Sequence, residues 1–107
     1  MEVIFMGVAP CSEFGTHQMI AQGFANARDS ETEDEIFFGG WFRCRCGDRF
    51  ICQGNPHTGG DIAKYVTEGG IVKKGISVGG VTDFYVDGDL VYKKSSPRLD
   101  GYMFIKQ

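Results

Sequence analysis

A chain of 107 residues makes one domain, residues 1–107, with room for a single hydrophobic core. Hydrophobic residues at 42% and charged residues at 23% exclude wholesale disorder. A net charge of −3 and a pI near 5.2 run against the basic footprint of a nucleic-acid binder, despite the local group Arg43, Arg45 and Arg49.

No window approaches the about 20 apolar residues of a membrane-spanning helix. The start, Met1-Glu2-Val3-Ile4-Phe5, lacks the basic residues of a secretory signal. A chain made in the cytoplasm is therefore expected, with Cys11, Cys44, Cys46 and Cys52 reduced or metal-bound rather than paired in disulfides. Gly 16, without a three-residue period, marks many tight turns and hence many short strands. The expected class is mainly β: short antiparallel hairpins in a compact, tapered domain with room for one or two short helices, α+β being the alternative.

In chain order, Val3, Ile4, Phe5 and Val8 predict a buried strand over 2–8, ended by Pro10. Between 17 and 28 the apolar residues Ile20, Phe24 and Ala27 fall at i, i+4 and i+7 behind a capping Thr16, the spacing of a short helix, although Gly23 in its middle opposes one and a bent strand stays open. The acidic run Asp29 to Glu35 reads as a solvated loop, because like charges in series resist packing. Its residues Glu31, Glu33, Asp34 and Glu35 are also the candidates for docking a basic partner.

Two strands, 36–46 and 50–53, are expected to form a hairpin turning at Gly47-Asp48-Arg49. Cys46 then pairs with Phe50 and Cys44 with Cys52, which sets Phe42, Cys44, Cys46, Phe50 and Cys52 on one face and Arg43 and Arg45 on the other. Residues 61–68, ahead of Gly69-Gly70, read as one or two helical turns, and 71–78 as a strand. Asp87-Gly88, flanked by alternating residues, predicts a type I′ hairpin over 81–93 with Phe84 opposite Val91 and Tyr85 opposite Leu90. A last strand is expected at 102–105, beyond Pro97. Gly-Gly recurs at 39, 59, 69 and 79, in the manner of a repeated turn.

The residues with chemistry are Cys44, Cys46, Cys52, His17 and His57, enough soft ligands for a tetrahedral zinc or iron site. The spacing is not that of a zinc ribbon. Cys-x-Cys on a strand sets two side chains about 7 Å apart along one face, whereas Cys-x-x-Cys brings both sulfurs to one ion. The competing reading makes the cysteines small hydrophobes under a sheet. A Cys52–His57 or Cys44–His57 nucleophile and base is a further arrangement open to any chain with these residues. Trp41 and the phenylalanines read as core.

The segments Gly15-Thr16-His17, Gly40-Trp41-Phe42-Arg43-Cys44-Arg45-Cys46-Gly47, Phe50-Ile51-Cys52-Gln53-Gly54 and Val81 to Tyr92 resemble the PAAR-repeat family, pointed β proteins that cap phage tails and contractile injection systems. The resemblance covers about residues 15–92, with gaps. Gln18-Met19 stands where the family has Gly-Gly, no Pro-Ala-Ala-Arg occurs, and no cysteine follows Cys52. It implies a non-catalytic structural protein of the virion or secretion apparatus. Zinc or iron would be held among His17, Cys44, Cys46, Cys52 and His57, with a trimeric β-helical spike as protein partner. Two other classes stay open: a small phage or bacterial interaction or inhibitor module using the acidic loop, and a Cys/His-dependent enzyme.

Overall fold

The computed structural model describes residues 15–54, 62–92 and 102–105; the strand expected at 2–8, Cys11 and His57 lie outside them. Of the helix and the bent strand open to 17–28, the structure has the strand, a long one, β1 (His17–Asp29). Its apolar spacing fits a helix by coincidence. Ile20 and Phe24 face outward, and the buried residues His17 and Met19, then Ala25 and Ala27, follow the period of two that a strand requires. Hydrogen bonding on both edges decides the matter, because β1 lies in the middle of the sheet.

A bulge divides β1 into two halves. Ala21 pairs with Phe42 of β2 (Glu35–Arg43), whereas Gly23 pairs with the preceding residue, Trp41, so one extra residue is inserted at Gln22. Gly23 takes φ 149°, open to glycine. One inserted residue exchanges the two faces of a strand. Met19 and Ala21 accordingly pack with Phe42, Cys44, Phe50, Cys52 and Tyr65. Ala25 and Ala27 pack with Phe37, Ile51, Val66, Ile71, Phe84 and Val86. The single core expected from chain length is thus two clusters, one on each face.

The remaining strands are β3 (Arg49–Gly54), β4 (Ile62–Thr67), β5 (Ile71–Val78), β6 (Val81–Val86) and β7 (Tyr102–Ile105). The sheet runs β4-β3-β2-β1-β6-β5, with β7 pairing the first half of β1. It is mainly β as expected, yet mixed rather than purely antiparallel, because β6 and β7 both run parallel to β1. The strands expected at 71–78 and 102–105 are present as β5 and β7.

Three local expectations are corrected. The β2–β3 pairing sets Phe42 opposite Phe50 and Gly40 opposite Cys52, so the connecting loop spans 44–48 instead of 47–49. The shift preserves facing, which keeps Phe42, Cys44, Phe50 and Cys52 together, with Cys46 packed beside them. Gly39 permits this register, since a Cβ there would collide with the Cys52 carbonyl on β3. Residues 62–67 form β4 rather than a helical turn, because Tyr65 and Val66 alternate between the two clusters; only Glu68–Gly70 turns as a short 3-10 helix.

The type I′ hairpin forms at Gly79-Gly80 instead of Asp87-Gly88. Both glycines have positive φ, 61° and 83°, and join β5 to β6 with Val78 opposite Val81. Asp87 has φ −78°, and its side chain accepts from the Asp89 N–H at 2.9 Å, starting a 3-10 turn over Gly88–Leu90. That turn sends Tyr92 to β4. Tyr65 and Tyr92 exchange backbone hydrogen bonds of 2.9 and 2.8 Å, and their rings stack 4.8 Å apart, so the sheet curls until one edge meets the chain leaving β6.

Candidate metal centre

His17 opens β1 on the face that buries Met19, and its ring is buried. The loop after β2 brings two cysteines to it. Cys44 N–H donates to the Asp48 carbonyl at 2.8 Å, Gly47 N–H donates to the Cys44 carbonyl at 2.8 Å, and Gly47 takes φ 106°. Cys-x-Cys therefore lies on a tight turn instead of along a strand. The separation of about 7 Å expected of extended backbone no longer applies. One ligand atom each of His17, Cys44 and Cys46 lies within 4.8 Å of the others.

The detailed contacts give each ring nitrogen a direction. His17 Nδ1 lies 3.6 Å from Cys46 Sγ, and His17 Nε2 lies 3.5 Å from Asp48 Oδ2. The Gln18 N–H donates to Cys44 Sγ at 3.4 Å. Zinc bound at about 2.0–2.3 Å in tetrahedral geometry separates its ligand atoms by roughly 3.5–3.8 Å. The His17–Cys46 distance already falls in that range. A structural zinc takes four ligands, of which this group supplies three.

Electrostatics separates the cysteines. Burial pushes the Cys44 thiol up, but hydrogen bonds from the Cys46 backbone, His17, the Gln18 backbone and the Cys46 side chain outweigh it and bring Cys44 to about 6. That direction favours the thiolate, the form that binds metals. Cys52 is the opposite case, since burial alone pushes it up to about 12. Its sulfur faces the Gly54 carbonyl at 3.9 Å within the Phe42–Phe50–Tyr65 cluster.

Of the five residues singled out by sequence, His17, Cys44 and Cys46 come together, Cys52 stands in the core outside that group, and His57 is outside the described residues. Asp48 was missed, because in sequence it reads only as a turn residue. Glu31, Glu33, Asp34 and Glu35 are all exposed, as expected of a solvated loop. Glu31, Glu33 and Asp34 sit on an ordered turn in which Asp29 Oδ1 accepts from the N–H groups of Glu31 (2.8 Å) and Thr32 (3.2 Å), and Glu35 begins β2. Trp41 is half-buried, edge-on to Phe84 at 4.9 Å, with Lys74 Nζ over its ring at 5.3 Å.

Compared with models of known protein families, with curated proteins and with solved structures, the chain matches none.

Proposed function

We propose that this chain is a non-catalytic structural protein whose His17, Cys44 and Cys46 hold one zinc or iron ion, in a role resembling that of PAAR-like spike tips. The observation that carries the reading is the convergence of His17 with two cysteines 27 and 29 residues further along the chain. The 81–92 segment contributes nothing to it, since that stretch turns back to β4 instead of forming a hairpin. An ion tying the start of β1 to the β2–β3 loop restrains two segments at the end of the sheet and adds its binding free energy to folding.

The burial of Cys44 favours a ligand over a nucleophile. At 1% exposure its sulfur is poorly placed for attack, since an attacking thiolate must be accessible. A protein partner, a trimeric β-helical spike in this reading, would dock elsewhere on the sheet.

The test is elemental analysis of protein purified without chelator, alongside Cys44→Ser, His17→Ala and Cys52→Ser. The expected result is about one equivalent of zinc or iron in the wild type and in Cys52→Ser, and loss in the other two. Wild-type protein without metal overturns the metal reading. Capture of the metal-loaded protein by a trimeric β-helical spike, lost on metal removal, tests the setting.

A further inference from the structure

The contacts around His17 extend beyond the three ligands. Building on the metal reading, we infer that Asp48 is a positioning residue that fixes His17 in the tautomer that ligates through Nδ1, completing a carboxylate–histidine–metal series. Neutral imidazole carries one N–H, and a nitrogen that binds metal cannot carry it. Nδ1 faces Cys46 Sγ at 3.6 Å, so the proton belongs on Nε2. That nitrogen is buried with the ring, and a buried N–H needs an acceptor. Asp48 Oδ2 lies 3.5 Å from it.

The backbone explains why the carboxylate is there. The hydrogen bond from Cys44 N–H to the Asp48 carbonyl closes the loop that also carries Cys46. One five-residue loop, 44–48, thus sets a sulfur at Nδ1, a carboxylate at Nε2 and Cys44 within the same group. The Asp48 side chain is 45% exposed against 3% for His17, so it contributes little to the core while its carboxylate faces the ring nitrogen. A carboxylate on the far nitrogen orients the imidazole and raises its basicity toward the metal. Such partners typically affect metal affinity by about ten- to a hundred-fold.

The experiment loads wild-type, Asp48→Asn and Asp48→Ala proteins with zinc alone. It measures affinity by chelator competition and reads the His17 ring by long-range proton–nitrogen NMR of histidine-labelled protein, a parallel His57→Gln sample separating the two histidines. The expected wild-type signature is metal on Nδ1 and a proton on Nε2. Asp48→Ala keeps one zinc per chain but binds it roughly ten- to a hundred-fold more weakly. Asp48→Asn, of the same size and still an acceptor, loses less affinity and retains the Nδ1-bound tautomer. Metal on Nε2 in the wild type, or an Asp48→Ala protein with unchanged affinity and ring signature, overturns the role of Asp48 while leaving the metal site standing. Wild-type protein that takes up no zinc removes both.

Discussion

At the scale of single residues, two buried thiols on one face have opposite chemistry because their neighbours differ. Cys44 receives hydrogen bonds that outweigh burial, whereas Cys52 has burial alone. The first has a stability consequence whose sign is definite. An acid whose pKa falls from 9.0 to about 6 on folding binds fewer protons in the folded state between those values. Metal-free protein should therefore gain stability as pH rises from 6 to 9, by up to about 1.4 kcal/mol per pH unit. The gain is complete above the ordinary value and gone once pH falls through about 6. Urea midpoints taken at several pH values in reductant and chelator should show this rise in wild-type protein, with Cys44→Ser flat from 6 to about 8, above which ionisation of Cys52 in the unfolded chain lowers both. The low-pH side has a separate origin. Burial opposes ionisation of Glu68, but its hydrogen bonds from the Arg49 side chain at 2.8 and 2.9 Å and from the Arg49 N–H at 2.7 Å hold it below the usual carboxylate range. Its contribution is lost only as pH falls below the ordinary carboxylate range.

At the scale of elements, the glycines fall into two physical kinds, and substitution separates them. Gly39 lies in the interior of β2, where β3 comes so close that a methyl group would strike the Cys52 carbonyl. Gly80 sits in the β5–β6 turn at φ 83° with nothing within 4 Å of a Cβ. Gly39→Ala should therefore cost about 3 kcal/mol or more through displacement of a central strand pair. Gly80→Ala should cost only the left-handed backbone penalty of roughly 1–2 kcal/mol. Chemical denaturation of the two variants checks the ranking, and equal costs would mean that β2 and β3 can separate without loss. The pair Gly79-Gly80 also explains why Asp87-Gly88 makes no hairpin: β6 is already paired with β5 and β1, so its continuation has no free neighbour to fold back upon.

At the scale of the whole molecule, the bulge at Gly23 makes the fold two-sided. The first half of β1 serves the cluster next to the metal candidate, and the second half serves the cluster of Phe37, Ile51, Val66 and Phe84 on the opposite face. β7 closes the first cluster. Phe104 packs edge-on to Phe42 at 5.3 Å and to Phe50 at 5.2 Å, while the backbone of β7 pairs residue by residue with His17 to Ile20. Phe104→Ala should accordingly destabilise the protein by about 2–3 kcal/mol, at or below the lower end for a core phenylalanine because the ring is only half-buried. It should also weaken zinc binding, because the same strand steadies His17. Calorimetry with and without zinc measures both, and a variant with lower stability but unaltered affinity would uncouple β7 from the site.

The sequence by itself determined the mainly β class, the strands at 71–78 and 102–105, the solvated acidic turn, and the shared face of Phe42, Cys44, Phe50 and Cys52. These follow from glycine content, alternation and charge, which act over a few residues. Tertiary structure decided that 17–29 is a strand, that the sheet is mixed, and that the type I′ turn falls on Gly79-Gly80. It also placed Asp48 behind His17. Each of these depends on a partner distant in the chain, and a local pattern carries no record of which edge a strand will meet.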